Sequence, residues 1–184
     1  MRIFAIPGSL RAASINAAVL RAAVQLAPPG VVVGMFNGIG ELPLFNPDLE
    51  LQPPARVASF RERVGAADAL LIASPEYAHG VSGAIKNALD WLVGYAPFAN
   101  KPVALLNTSP RAHHADAALR ETLRTMSALL IGEASTPLPL LGSGLGEDAM
   151  LASPTICAAL DGVFLAIQAV VDQRHDRAAE FSIS

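Results

Sequence analysis

The sequence predicts a single α/β domain over residues 1–184, in which a doubly wound, five-stranded parallel sheet of order 2-1-3-4-5 carries helices on both faces. Short apolar runs alternate with segments of helical periodicity along the chain, which indicates successive β-α-β units. The apolar runs are continuous rather than alternating, as expected of strands covered on both faces. Hydrophobic residues make up 52% of the 184 residues and charged residues 16%, enough for a substantial core.

The apolar runs predict five strands, at residues 2–7, 31–36, 68–74, 102–108 and 133–138. The second begins with three consecutive valines, and the centres of the third and fourth contain only alanine, leucine, isoleucine and valine. Ligands of a doubly wound sheet bind at the carboxyl ends of its strands. The loops after strands 1, 3 and 4 are therefore the candidate site.

The helical periodicity predicts five helices, at residues 14–27, 54–66, 83–95, 115–130 and 155–173. Ser14, Ser82 and Ser153 stand where N-cap residues belong, and proline follows Ser153 at the first helical position. The last helix has an apolar stripe at helical spacing, formed by Ile156, Leu160, Val163, Ile167 and Val170. Residues 41–48 form a long loop after strand 2, and long loops are often functional.

Composition and charge exclude several classes of partner. The net charge of −3, the lack of a basic block and the sparse aromatic residues argue against nucleic acid. Cys157 is the one cysteine, which excludes an internal disulfide, and we interpret it as an inert core residue. The apolar stretch 156–171 is interrupted by Asp161 and Gln168, so we expect no membrane span. The apolar start is too short for a signal peptide, which favours a cytoplasmic protein.

The loop after strand 1 has the composition of an anion site. Residues 8–16, GSLRAASIN, lead into the first turn of a helix, where unpaired N–H groups and the helix dipole favour negative charge. Ser9, Arg11, Ser14 and Asn16 can add side-chain donors around one phosphate. The chain has neither G-x-G-x-x-G nor G-x-x-x-x-G-K-[ST], which leaves a monophosphate cradle of the flavodoxin kind. A structural interpretation stays open, in which Ser14 is a plain N-cap and Arg11 a solvated charge.

The loop after strand 3 carries a second motif. Residues 74–92 read SPEYAHGVSGAIKNALDWL and turn through proline and glycine into a helix. Together with residues 8–16, this segment resembles the NADPH-dependent FMN reductase family. That family's patterns are G-S-x-R-x-x-S-x-N and P-E-Y-N-x-x-x-P-G-x-L-K-N-A-I-D-W, and its members are flavodoxin-like quinone, azo-dye and metal-oxyanion reductases. The resemblance covers at least residues 1–110.

The resemblance implies a binding site for FMN. The positions that match the first pattern, Ser9, Arg11, Ser14 and Asn16, would hold the phosphate. Those around the second pattern would surround the isoalloxazine ring; the candidates are Pro75, Glu76, Tyr77, His79, Gly80 and, from the third loop, Ser109. A flavin needs a flat slot, partners for its uracil-like edge and one open face for hydride.

This chain departs from the family's pattern in the second and third loops. Ala78 stands where the family has asparagine, and Ser82 where it has proline. Residues 108–116, TSPRAHHAD, replace a serine that is usually followed by glycines, so more side-chain bulk is expected beside the flavin. Arg111 is either a contact for a phosphate of NADPH or a solvated charge.

Two adjacent histidines follow in the same loop. His113 and His114 would shape or obstruct the nicotinamide site. Neighbouring histidines rarely share a metal ion without further ligands, so we expect no metal site.

The resemblance further implies an enzyme without a catalytic side chain, because the flavin carries the chemistry. NADPH or NADH would pass a hydride to bound FMN and leave. A small acceptor, such as a quinone, an azo compound, a free flavin or a metal oxyanion, would then take its place.

The resemblance also implies a homodimer or homotetramer, assembled through the helix at residues 83–95. Its apolar band, formed by Trp91, Leu92, Val93, Tyr95 and Phe98, is wider than one helix face can bury. Burial of this band as plain core is the alternative.

Two other functions are compatible with the sequence. One is an electron-carrying flavodoxin, although such carriers are typically more acidic than a chain of net charge −3. The other is a flavin-free regulatory relative, which the altered third loop suggests. NADPH oxidation without a partner protein distinguishes the enzyme from the carrier. A purified protein that lacks the yellow colour of bound flavin would be the flavin-free regulator.

Overall fold

The centre of the structure, a computed structural model, is a parallel sheet, and the described residues are 1–109, 111–135, 137, 138, 140 and 142–181. Among them the strands are β1 (Arg2–Pro7), β2 (Val32–Met35), β3 (Ala69–Ala73), β4 (Glu76–Tyr77), β5 (Gly80–Val81), β6 (Pro102–Leu106) and β7 (Leu129–Leu130). The sheet has the order β2-β1-β3-β6-β7 with every neighbouring pair parallel. The predicted doubly wound order is confirmed. β4 and β5 pair with each other as a separate antiparallel hairpin.

Helices cover both faces of this sheet. They are α1 (Ile15–Gln25), α2 (Ala55–Ala66), α3 (Gly83–Asp90), α4 (His113–Thr125), α5 (Glu147–Leu151) and α6 (Pro154–Phe181). On one face, α1, α5 and α6 pack against Ile3 and Ala5 of β1. On the other face, α2, α3 and α4 pack against Phe4 and Ile6. Successive side chains of a strand point to opposite faces, so one continuous apolar run supports both layers.

The three predicted serine N-caps are confirmed. Ser14, Ser82 and Ser153 each accept a hydrogen bond from the backbone N–H three residues later, at 3.2, 3.3 and 3.4 Å. Each bond satisfies a donor that the first turn of a helix leaves unpaired. The start of α1 at the cleft is therefore determined locally, by residues adjacent in sequence.

The fifth strand of the sheet lies earlier in the chain than predicted. The sequence predicts it at residues 133–138, but it is formed by Leu129–Leu130. The error arises because the apolar residues after Thr125 continue the helical pattern of α4, so the prediction makes that helix too long. In the structure Ser127 adopts φ 60° and reverses the chain, and the N–H of Leu129 then donates to the carbonyl of Lys101 at 2.9 Å.

Other bounds also differ from the prediction. Within the predicted fifth strand, residues 132–134 form a turn, Pro137 makes an isolated bridge to Asn107, and residue 136 lies outside the described residues. α3 ends at Asp90, five residues early, because residues 91–94 form turns. The helix α5 and the β4–β5 hairpin have no counterpart in the prediction, since both are too short for a periodic pattern.

By length and composition, residues Pro154–Arg177 of α6 could cross a membrane, with a mean hydropathy of 1.8. Asp161 and Gln168 therefore do not exclude a span on length and composition alone, and the expectation of no membrane span stays a prediction. Packing accounts for part of the apolar character, because the predicted stripe lies against the sheet while only 33% of the apolar window is buried. Ile156, Leu160, Val163 and Ile167 are buried, as are Phe164 and Val171, while Val170 is partly buried.

Most of the apolar band at residues 91–98 lies in the core rather than on the surface. The premise that this band is too wide for one helix face to bury is therefore wrong. Trp91, Leu92 and Phe98 are at most 1% exposed, whereas Val93 is 65% exposed. The cover comes from the long loop at residues 41–48, held by hydrogen bonds to α3 and to the indole of Trp91. Because this loop lies over α3, its role is structural, and it does not line the cleft described below.

Candidate functional site

A cleft of about 320 Å³ opens where the loops after β1, β3 and β6 meet. Its volume lies in the usual range of small-molecule sites, roughly 300–1,000 Å³. This is the edge at which a doubly wound sheet binds ligands. Every predicted site residue lines the cleft except His79 and Gly80. The cleft therefore joins the two sequence motifs, which are about sixty residues apart, into one surface.

The β1–α1 loop presents hydroxyl protons to this cleft. Ser9 Oγ accepts from the N–H of Arg11 at 3.3 Å, and Ser14 Oγ accepts from the N–H of Ala17 at 3.2 Å. Each hydroxyl uses its oxygen for the backbone, so its hydrogen is free to donate. The N–H groups of Ile15 and Asn16 have no intrahelical acceptor, because they belong to the first turn. The loop thus offers several donors to one acceptor-rich ligand.

Asn16 and Arg11 add the remaining donors of this loop. The buried Asn16 Oδ1 accepts from Thr108 Oγ1 at 2.9 Å, which orients the amide and leaves Nδ2 without a partner among the described residues. The guanidinium of the exposed Arg11 likewise makes no hydrogen bond or ion pair within the described chain. Sequence reasoning did not single out Thr108, although its place directly after a central strand could have indicated it.

Gly8 allows the first and second loops to approach each other. A Cβ at this position would lie 2.7 Å from Cβ and 2.9 Å from Cα of Ser74, closer than real side chains come. Beside it, Ser82 Oγ donates to the carbonyl of Gly8 at 2.5 Å while capping α3. A proline, which the family's pattern has at position 82, cannot make either bond. The departure at Ser82 therefore ties the two loops together.

The turn between β4 and β5 is strained. Ala78 has φ 48° and His79 has φ 59°, both in the left-handed region that disfavours residues other than glycine and asparagine. Such a conformation costs roughly 1–2 kcal/mol per residue. The asparagine that the family's pattern has at position 78 suits this conformation better than alanine does.

Replacing Ala78 by asparagine is expected to raise the free energy of unfolding by about 0.5–1 kcal/mol, because the native backbone is then less strained. Urea denaturation measures the change. Ala99→Asn is the matched control, since Ala99 is exposed but has an ordinary φ of −57°. An equal gain at both positions would show that the left-handed backbone is not the cause.

Glu76 joins the second loop to the third. Its Oε2 accepts a hydrogen bond of 2.8 Å from the N–H of Ala115, in the first turn of α4. This bond lowers the pKa of Glu76, burial acts weakly against it, and the nearby imidazoles of His114, His79 and His113 lower it further. The carboxylate therefore stays ionised at neutral pH and accepts rather than donates at the cleft wall.

Three histidines lie beside Glu76 at the rim. The rings of His79 and His114 stack with centroids 4.3 Å apart and planes at 23°, and those of His113 and His114 are 4.1 Å apart. Sequence reasoning did not foresee the contact of His79 with α4, because nothing in the local pattern indicates it. The nitrogens of stacked rings point outward in the plane of each ring, away from the facing ring. In the described part of the chain, no three His, Cys, Asp or Glu side chains are placed to hold a metal ion.

Comparison with known proteins shows what the chain is similar to. The family model described as NADPH-dependent FMN reductase matches residues 1–139. An NAD(P)H-dependent FMN reductase of Pseudomonas aeruginosa is 43% identical over 112 residues, which cover 59% of this chain and 60% of that protein. An NADPH:quinone oxidoreductase of Arabidopsis thaliana is 42% identical over 116 residues, covering 59% of this chain and 58% of that protein. The matches thus span under two thirds of these relatives.

A solved structure extends the likeness to most of the chain. The flavoenzyme NAD(P)H:(acceptor) oxidoreductase FerB from Paracoccus denitrificans superposes with a TM-score of 0.75 at 27% sequence identity. The superposition covers 91% of this chain and 97% of that one. The likeness therefore includes the elements beyond residue 139.

Proposed function

Because the chain belongs to the NADPH-dependent FMN reductase family, we propose that it binds FMN in this cleft and reduces a small-molecule acceptor at the expense of NAD(P)H. The observation that carries the proposal is a set of donors in the β1–α1 loop that have no acceptor among the described residues and open into the same cleft as Glu76 and Tyr77. A phosphate at one end and a planar ring at the other match that arrangement. Because Gly8 has no side chain, the first and second loops of the cleft can approach each other.

The residues of the first loop have a common task in this proposal. Ser9, Arg11, Ser14 and Asn16 hold the FMN phosphate through hydroxyl, guanidinium and amide donors, and the first turn of α1 adds its N–H groups. The loop is compact and carries one arginine, so it suits a single phosphate. FMN is therefore expected to bind in preference to FAD.

The second and third loops position the ring. Pro75, Glu76 and Tyr77 line one part of the cleft and Ser109 another, with His79 and Gly80 at the turn between β4 and β5. Bound FMN supplies hydride transfer between a nicotinamide and the acceptor, so the chain needs no nucleophile of its own. The protein's contribution is to bind, to orient and to leave one face of the ring accessible. We place this reaction in the cytoplasm, where nicotinamide cofactors are available.

Titration of the flavin-free protein with FMN and FAD, followed by NAD(P)H oxidation with a quinone, tests the proposal. We expect tighter binding of FMN and rapid NAD(P)H oxidation without a partner protein. Flavin binding with no oxidation of NAD(P)H would instead indicate an electron carrier. Failure of both flavins to bind would indicate a flavin-free relative.

We also propose that the chain forms a homodimer or homotetramer near residues 83–95, although most of that segment's apolar band is core. Val93 remains 65% exposed, Leu44 in the loop that packs over α3 is 84% exposed, and Leu51, shortly after that loop, is 97% exposed. Light scattering measures the assembly, and a mass corresponding to a monomer of 19.1 kDa at micromolar concentration would contradict it.

A further inference from the structure

The cleft is locally positive although the chain as a whole carries a net charge of −3. Arg11 and Arg111 both line it, and neither guanidinium has an acceptor among the described residues. Glu76 is the one carboxylate in the described lining. If Arg11 serves the phosphate of the cofactor, Arg111 remains as a second, unengaged cation on the opposite loop.

Three imidazoles lie next to this positive region, close to Glu76 at the rim. His79 reaches it from the turn between β4 and β5, while His113 and His114 stand at the start of α4, directly after Arg111 and Ala112. All three side chains are exposed, and their rings are 4.1–4.3 Å apart. The imidazole rings therefore add N–H donors to the rim beside Arg111.

The carboxylates around the rim are already engaged. Glu76 accepts from the N–H of Ala115 at 2.8 Å, which holds it in place against α4. Asp116, the other acidic side chain of this region, pairs with Arg120 at 2.7 Å. Tyr77 completes the titratable groups that face the rim from the β4–β5 hairpin. In the described part of the chain, neither carboxylate forms an ion pair with Arg111.

We propose that Arg111, together with His79, His113 and His114, forms an anion subsite for the molecule that exchanges hydride with the cofactor. The subsite takes a phosphate or sulfonate-like group on that molecule, which is either a phosphate of NADPH or an acidic substituent of the acceptor. This inference rests on the proposed function and specifies in addition that the substrate carries a negative charge. Arg111 and the histidines are specificity-determining residues and take no part in the hydride step.

Equilibrium binding to the oxidised, flavin-loaded protein tests the subsite without turnover. The probes are matched pairs that differ in charge: 1,4-naphthoquinone against its 2-sulfonate, and NAD⁺ against NADP⁺. In Arg111→Ala, the dissociation constant of the more highly charged member of one pair should rise about tenfold, which is the scale of one charge-assisted hydrogen bond. The dissociation constant of the other member of that pair should rise less than about twofold. The pair that responds identifies the source of the anion. Arg111→Lys should recover part of the loss.

A double variant separates the histidines from Arg111. The ring N–H groups of His113 and His114 can donate to a sulfonate, so His113→Ala/His114→Ala should raise the dissociation constant of the sulfonated quinone more than that of the unsulfonated one. KM for the responsive substrate should rise in these variants while kcat stays unchanged. Arg124→Ala, on the last turn of the same helix, is the control and should alter none of these values.

Equal changes for the charged and neutral probes, or no change in either pair, would overturn the subsite. The variants lie at exposed positions, so unfolding is not expected to obscure the result, and thermal melting verifies it. Failure of the proposed function is visible separately, as failure to bind FMN. In that event the ring NMR signals of the histidines, followed during titration with the sulfonated quinone, still test the subsite, and unshifted signals would overturn it.

Discussion

Replacing Trp91 by alanine is expected to lower the free energy of unfolding by about 3–5 kcal/mol. The indole is fully buried, packs edge-on against Phe45 at 5.0 Å and donates from Nε1 to the carbonyl of Pro43 at 2.8 Å. Truncation leaves a cavity and removes one of the contacts that hold the long loop over α3. Since domains of this kind are stable by about 5–15 kcal/mol, the loss is a large part of the total.

Urea denaturation of Trp91→Ala and Trp91→Phe measures this effect and divides it into packing and hydrogen bonding. Phenylalanine keeps most of the ring, and the carbonyl of Pro43 still accepts from Asn87 Nδ2 at 3.0 Å. Trp91→Phe should therefore cost less than about 1.5 kcal/mol. If Trp91→Ala lowered the free energy of unfolding by less than about 1 kcal/mol, the assignment of Trp91 to the core would be contradicted.

Replacing Arg11 by alanine is expected to weaken FMN binding by about 1.5–3 kcal/mol, the scale of a charged hydrogen bond. In dissociation constants this is roughly a ten- to 150-fold increase, since each 1.4 kcal/mol corresponds to a factor of ten. The physical reason is that the exposed guanidinium lines the cleft with no partner in the part of the chain that the structure describes, so it is available to a phosphate. Stability should change little, because the side chain is solvated.

Flavin titration of Arg11→Ala beside two other variants measures this effect. Arg11→Lys keeps the charge but loses the paired geometry of the guanidinium, so an intermediate dissociation constant is expected. Arg124→Ala, whose exposed side chain lies 3.7 Å from Glu121, should bind FMN as the unmodified protein does. A dissociation constant that is unchanged in Arg11→Ala would remove Arg11 from the cofactor site and with it the phosphate assignment of the loop.

The parts of the site that the sequence predicts are those determined by neighbouring residues. Ser14 and Ser82 are recognisable as N-caps because their bonds reach only three residues ahead. The loops that end at these two serines lie at the carboxyl ends of strands whose apolar runs are continuous. The resemblance to a known family then identifies the residues in these loops, and most of them line one cleft.

The parts that sequence reasoning missed depend on contacts between distant segments. Glu76 and Ala115 are 39 residues apart, and nothing near Glu76 indicates that α4 supplies its hydrogen bond. The stacking of His79 on His114 depends in the same way on a left-handed turn that an alanine-histidine pair does not suggest. The cover over Trp91 comes from a loop 48 residues earlier.

By itself the sequence determined the order of strands, the caps and the loops that meet at the sheet edge, because apolar periodicity and capping are local properties of the chain. The tertiary structure alone decided where the fifth strand begins, which aromatic residues are core and how the histidines gather beside Arg111. These features follow from side chains far apart in sequence that compete for the same space, a competition that no local pattern records.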